Sequence, residues 1–243
     1  MIDLRQGDCL EIMKEIPDKS IDLIVTDPPY LHIKGGCKSK RLNVGCRDVN
    51  SNVVSNMSDF GEQQIYTFLD NVKKKMKKVN MYVFCSKLQI PYYLNWALKN
   101  KLQYDVLFWY KNTNRMISTK FYASNVEYII RIYGNGCSLN SILNDNGKAK
   151  SELYQKIFSY DTPKNKIHEA QKPIKMLERI ISLSSNENDK ILDCFMGSGT
   201  TGVACKELNR NFIGIELDNT YYEIAKKRIE EAGEENENQM SLF

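Results

Sequence analysis

Residues 190–216 restrict the fold of this chain more than any other stretch. Ile191 and Leu192 are a short apolar run that ends in Asp193, and Cys194-Phe195-Met196-Gly197-Ser198-Gly199-Thr200 follows. Gly197, Gly199 and Gly202 then have G-x-G-x-x-G spacing, a helix runs to about Leu208, and Phe212 to Glu216 form the next strand. Strand, glycine turn, helix and strand in this order describe a parallel pair with a helical crossover, the unit of an open α/β sheet. The glycine turn lets the backbone approach a ligand at a helix N-terminus. Glu216, 19 positions after Gly197, places a carboxylate at a strand end where ribose hydroxyls bind. Alone, the pattern suits NAD as well as S-adenosylmethionine.

Far upstream, Ile21-Asp22-Leu23-Ile24-Val25-Thr26-Asp27-Pro28-Pro29-Tyr30 reads as a buried strand running into a rigid polar end. Pro28 and Pro29 have no N–H for a ladder and stop the strand. They leave a carboxylate (Asp27), two prolyl carbonyls and an aromatic plate (Tyr30). That set suits an amino group on a flat ring, although an isolated match also describes a plain proline turn.

The remaining elements can be placed by periodicity. Strands are expected at residues 2–5, 81–85, 106–110 and 126–133, and an amphipathic helix at 62–79 through Ile65, Phe68, Leu69, Val72, Met76 and Val79. A short helix carries Leu10, Ile12, Met13 and Ile16, and another follows Pro91. After His168-Glu169-Ala170-Gln171-Lys172-Pro173 a helix starts with proline in its first turn. Thr220 and Glu223 have capping-box spacing for the last helix. Two segments lack periodicity: residues 31–61, and the polar stretch 134–167. A single domain over residues 1–232 with these two inserts is expected, followed by a disordered acidic tail, 233–243.

Composition narrows the chemistry. The chain has 243 residues, 42% hydrophobic, with a formal net charge of +4. No apolar run reaches the roughly 18 residues that span a bilayer, and Met-Ile-Asp-Leu-Arg does not start a signal peptide. Seven scattered cysteines without a C-x-x-C pair point to free thiols in a reducing cytoplasm, with no metal site. In residues 31–50, Lys34, Lys38, Lys40, Arg41 and Arg47 face Asp48 alone, which suits a phosphate-contacting loop.

Asp-Pro-Pro-Tyr, His-x-x-Gln-Lys-Pro, Asp-x-Phe-x-Gly-Ser-Gly-Thr and the following Gly-Ile-Glu strand together resemble the DNA amino-methyltransferases. Their order resembles the β class of adenine-N6 methyltransferases, over nearly the whole chain outside the inserts and tail. The resemblance implies a Rossmann-like seven-stranded sheet ordered 3-2-1-4-5-7-6, strand 7 antiparallel, with helices on both faces and circularly permuted. It further implies S-adenosylmethionine as cofactor, double-stranded DNA as substrate, and base flipping before direct methyl transfer.

By that resemblance Asp27, Pro28, Pro29 and Tyr30 are catalytic: Asp27 and the Pro28 carbonyl accept from the adenine amino group, and Tyr30 stacks on the base. Glu216 holds the ribose hydroxyls, and Asp8 and Cys9 lie near the adenine end of the cofactor. Asp193, Phe195, Gly197, Ser198, Gly199, Thr200, Gln171, Lys172 and Pro173 lie around its methionine end, and His168 has either a positional role or a contact with the ligand. Members of the class often pair, so a homodimer is expected. Gln239-Met240-Ser241-Leu242-Phe243 resembles the peptide by which bacterial proteins dock on the sliding clamp, through Gln239, Leu242 and Phe243. A cytosine-N4 or RNA-adenine target would use the same amino chemistry. A non-catalytic DNA-binding subunit would be expected to have damaged motifs, and both are intact here.

Overall fold

The computed structural model describes residues 1–30, 60–111, 125–163 and 171–232. Expectations for Lys34, Lys38, Lys40, Arg41, Arg47, His168, Gln239, Leu242 and Phe243 lie outside the described residues.

Among the described residues eight strands form one sheet: β1 (Ile2–Gln6), β2 (Leu23–Thr26), β3 (Asn80–Cys85), β4 (Gln103–Tyr110), β5 (Val126–Tyr133), β6 (Ile157–Ser159), β7 (Lys190–Asp193) and β8 (Asn211–Glu216). Their order is β1-β8-β7-β2-β3-β5-β4-β6. Only β5 runs antiparallel to its neighbours, β3 and β4. The order of the first seven is the expected one; β6, parallel to β4 at the far edge, is an additional eighth strand. Residues 134–167 are therefore not wholly irregular. Three residues are too few to show a period of two, but Phe158 is buried and Phe108 N–H donates to the Lys156 carbonyl at 2.9 Å.

Helices cover both faces. Helices α1 (Cys9–Ile12), α2 (Glu62–Lys75) and α3 (Ile90–Lys99) bury Ile65, Phe68, Leu69, Val72, Tyr93 and Trp96 on the face that carries Ile24, Met81 and Ile130. On the other face α4 (Ile174–Ser184), α5 (Thr200–Glu207) and α6 (Asn219–Glu231) cover Leu23, Val25, Ile191 and Phe212. β2 is central, and all four of its residues are buried, as both-face coverage requires. Each fully buried Leu or Ile contributes about 1.5–3 kcal/mol, so strand β2 is fixed from both sides.

Several boundaries differ from the periodic reading, and β4 already begins at Gln103, three residues before the expected 106. α2 ends at Lys75 rather than 79, because Met76 turns extended and bridges Ile21, whose carbonyl accepts Lys77 N–H at 2.9 Å. β2 accordingly begins at Leu23, not Ile21. The cap of α6 is Asp218, whose carboxylate accepts from the N–H groups of Thr220 (2.8 Å) and Tyr221 (3.0 Å), two residues earlier than the Thr220–Glu223 spacing suggests. No helix among the described residues is long and apolar enough to cross a membrane.

Candidate active site

Chain direction diverges between β7 and β2. From β7 the chain crosses to β8 on one side, and from β2 to β3 on the other, so their carboxyl ends border the crevice where open α/β sheets bind ligands. One buried carboxylate joins the two ends. Asp193 Oδ1 accepts from Thr26 Oγ1 at 2.8 Å and from Phe195 N–H at 3.1 Å, while Oδ2 accepts from Thr201 Oγ1 at 2.6 Å. Burial pushes its pKa up to about 6, against the pull of these three donors. Asp193 thus fastens β2, β7 and α5 together; its carboxylate is not presented to open space.

The glycine loop divides into one open position and several packed ones. Gly197 has φ +52°, and a Cβ built there would meet no heavy atom within 4 Å. Gly199 has φ +78°, but a Cβ there would lie 2.8 Å from Ala225 Cβ; at Gly202 it would lie 2.3 Å from Ile229 Cδ1. Gly197 therefore opens space for a ligand, and the other two bring α5 against α6. Ser198 and Thr200 are buried, and the Arg228 guanidinium donates to the Ser198 carbonyl.

Glu216 closes the loop from the end of β8. Its carboxylate accepts from Gly197 N–H and Asp218 N–H, each at 2.9 Å. Each oxygen keeps a lone pair for a further donor. Beside it Gly7 N–H donates to the Glu216 carbonyl at 2.9 Å, which brings Asp8 to the same rim. Asp8 caps α1 through Oδ1, to Leu10 N–H at 2.8 Å and Glu11 N–H at 3.2 Å. Burial, then the Asp8 charge, push the Cys9 thiol up to about 12, so it is a small apolar group. Phe195 packs against Phe60 and Phe68 with ring centroids 5.8 and 5.5 Å apart, an aromatic wall next to the loop.

Across the crevice, Asp27 leaves β2 with its two oxygens in different states. Oδ2 accepts from Lys172 Nζ. Oδ1 is buried and has no hydrogen-bond partner among the described residues. The turn is fixed by Gln89, whose Nε2 donates to the Pro29 carbonyl at 3.1 Å and to the Phe60 carbonyl at 3.0 Å. Pro28 is buried, and the Tyr30 hydroxyl lies 3.5 Å from Glu127 Oε2. Lys172 sits between half-buried Gln171 and Pro173, the cap of α4, and is itself buried. Its Nζ lies 3.4 Å from Glu127 Oε2, and Lys111 donates to Glu127 Oε1. Burial opposes the charge of Lys172, but Asp27 and Glu127 outweigh it and raise its pKa. Burial likewise opposes the charge of Glu127, and Lys172 and Lys111 outweigh it and lower its pKa.

Most of the motif residues thus converge: Asp27, Tyr30 and Lys172 on one side, Gly197, Phe195, Glu216 and Asp8 on the other. Gln89, Lys111, Glu127, Thr26 and Thr201 were not singled out by the sequence. A charged residue on an otherwise apolar strand, Glu127 in Val126–Tyr133, was the available signal.

The model of the N6/N4 DNA methylases matches residues 21–227. The chain belongs to this DNA methylase family. The Type II methyltransferase M.HinfI of Haemophilus influenzae is 31% identical over 93% of this chain and 67% of its own length. M2.DpnII of Streptococcus pneumoniae is 30% identical over 96% and 91%. Among solved structures, the M1.HpyAVI–SAM complex is 28% identical, with a TM-score of 0.68, covering 94% of this chain and all of that one. The cytosine-N4-specific PvuII methyltransferase superimposes with a TM-score of 0.71 over 93% of this chain and 86% of its own, at 16% identity, which shows the shared fold alone. This DNA methyltransferase thus has its glycine loop and its Asp-Pro-Pro-Tyr turn at the adjoining carboxyl ends of β7 and β2.

Proposed function

We propose that the protein transfers a methyl group from S-adenosylmethionine to the N6 amino group of adenine in double-stranded DNA, after the base has left the stack. The observation that carries this reading is Asp27 Oδ1, buried at the carboxyl end of β2 and without a hydrogen-bond partner among the described residues. A buried carboxylate oxygen without a donor costs about 1–3 kcal/mol or more, and an exocyclic amine supplies the donor. Accepting one N6–H draws the nitrogen lone pair out of conjugation with the ring. The Pro28 carbonyl takes the second N–H, and Tyr30 stacks on the base.

The site suits the cofactor. Gly197, in a left-handed turn with open space beside it, leaves room for the methionine part, framed by Phe195, Ser198, Gly199 and Thr200. Glu216 has lone pairs left for the ribose hydroxyls, and Asp8 and Cys9 flank the adenine end. Gln171, Lys172 and Pro173 border the methionine end, while Asp193 supports it from beneath. The sulfonium supplies an electrophilic methyl group, so the protein's share is positioning, acceptance of the amine hydrogens and exclusion of water.

Lys34, Lys38, Lys40, Arg41 and Arg47 contact phosphates, and segments 31–61 and 134–167 read the target. Gln239, Leu242 and Phe243 dock on a sliding clamp, the chain works as a homodimer, and it acts in the cytoplasm. Calorimetry of the full chain against one ending at Glu237 tests the clamp docking.

Incubation with labelled S-adenosylmethionine and DNA, followed by nucleoside analysis, should yield N6-methyladenine. N4-methylcytosine would move the target to cytosine, and cofactor binding without product would leave a DNA-binding subunit. Asp27→Ala should lower the single-turnover rate by roughly 30- to 150-fold, the worth of about 2–3 kcal/mol for a charged hydrogen bond, with cofactor affinity little changed. An unchanged rate would remove Asp27 from the mechanism.

A further inference from the structure

Lys172 lies between two carboxylates, and this arrangement determines how strongly Asp27 can accept. We infer that Glu127 is a positioning residue for the methyl transfer: it shares the Lys172 ammonium with Asp27 and so keeps Asp27 a strong acceptor for the amine. The inference rests on the amino-methyltransferase reading above.

Four charges alternate along a line through the site. Lys111, just beyond β4, holds Glu127 Oε1; Glu127 Oε2, at the start of β5, faces Lys172 Nζ at 3.4 Å; Lys172, before α4, holds Asp27 Oδ2 after β2. Four elements contribute one charge each, and the quartet is neutral. Lys172 has 8% of its side chain exposed, Lys111 13%, Glu127 21% and Asp27 22%, so water screens these charges weakly. The other titratable groups facing Asp27 are Tyr30, Cys85 on β3, Tyr93 on α3 and Asp193 on β7. Burial raises the pKa of Tyr30, Cys85 and Tyr93, which keeps them neutral, so among the described residues Glu127 and Asp193 are the other anions near Asp27.

A lysine paired with Asp27 alone would draw electron density from the carboxylate and weaken Oδ1 as an acceptor. A lysine shared with Glu127 places Oδ2 and neutralises the burial charge without taking the whole of that density. Lys111 limits the sharing from the other end, because it satisfies Glu127 Oε1 and leaves one oxygen for Lys172. Tyr30, at 3.5 Å from Glu127 Oε2, couples the plate under the base to the same carboxylate.

Glu127→Gln keeps the shape and removes the charge. It should lower kcat by about tenfold, equivalent to ~1.4 kcal/mol, with KM for S-adenosylmethionine within about twofold of wild type. Glu127→Asp keeps the charge and should restore most of kcat. A purely structural role would lower thermal stability and kcat together and raise KM for the cofactor as the site loosens. A wild-type kcat in Glu127→Gln, or a loss confined to KM, overturns the inference; a wild-type protein that transfers no methyl group to DNA overturns the parent reading instead. If Glu127→Gln does not fold, Glu127→Asp decides alone: a kcat lowered by about tenfold despite the retained charge overturns it.

Discussion

Asp193 shows how a single side chain can link the fold to the chemistry without meeting a substrate. Its carboxylate is 3% exposed and satisfied by Thr26, Phe195 and Thr201, and its folded pKa of about 6 lies above the usual 3.8. The folded chain therefore binds the extra proton between those values, so this group's contribution to stability falls as pH rises through the window and levels off above about 6. Thr201→Val removes the 2.6 Å donor and raises the folded pKa further. Its cost, about 1–3 kcal/mol, should be fully present at pH 8, where the carboxylate is charged, and smaller at pH 5, where it is protonated. Urea unfolding at the two pH values measures this, and equal costs would mean that the Thr201 bond does not serve the charged form. Asp27, Gly197 and Glu216 were legible in the sequence because each belongs to a contiguous motif. Glu127 was not, because its role depends on strand direction. β5 is antiparallel to β3, with Tyr128 opposite Cys85, so its first residues lie at the carboxyl ends of the parallel strands. Alternation along 126–133 reveals a strand but not which end meets the crevice.

Glycine does two different jobs between β7 and α6, and substitution separates them. At Gly202 a Cβ would stand 2.3 Å from Ile229 Cδ1 and 2.7 Å from Phe212 Cε1, so alanine must push α5 from α6 and β8. Overpacking of that kind costs about 1–3 kcal/mol, and Gly202→Ala should lower the melting temperature while leaving cofactor affinity close to wild type in protein that remains folded. Gly197→Ala meets no neighbour and pays about 1–2 kcal/mol for its left-handed φ of +52°. The added methyl should weaken S-adenosylmethionine binding, read by calorimetry, by more than the stability loss explains. The reverse pattern would mean that Gly197 only shapes the turn. The G-x-G-x-x-G spacing located this element but could not distinguish the roles, which depend on α6 packing from a later part of the chain. β6 was hidden for a different reason: its three residues are held by one buried ring, Phe158, and by pairing to β4. Similarly, α2 reads four residues too long because Val79 continues the apolar period after the chain has turned to bridge Ile21.

Across the whole molecule, charge is distributed unevenly. The chain carries 34 basic and 30 acidic residues; residues 31–50 hold five of the first and one of the second, which leaves 29 of each elsewhere. The formal excess of +4 therefore belongs to one segment, which follows Tyr30 directly in sequence. The remainder of the chain, including the neutral quartet around Lys172, carries no net charge, so in the proposed reading the steering of DNA falls to Lys34, Lys38, Lys40, Arg41 and Arg47. Each phosphate contact adds about 0.9 to the slope of log K against log salt concentration. Replacing all five by serine should reduce that slope by about 0.9 for every contact they make, and weaken binding at 50 mM salt much more than at 200 mM. Cofactor affinity and the N6-methylated product should not change, because none of the five is among the residues assigned to the cofactor. Titration of a fluorescent duplex across a salt series gives the slope directly. An unchanged slope would place the phosphate contacts on the balanced part of the molecule, where local clusters of lysine such as Lys73, Lys74 and Lys75 at the end of α2 would have to supply them.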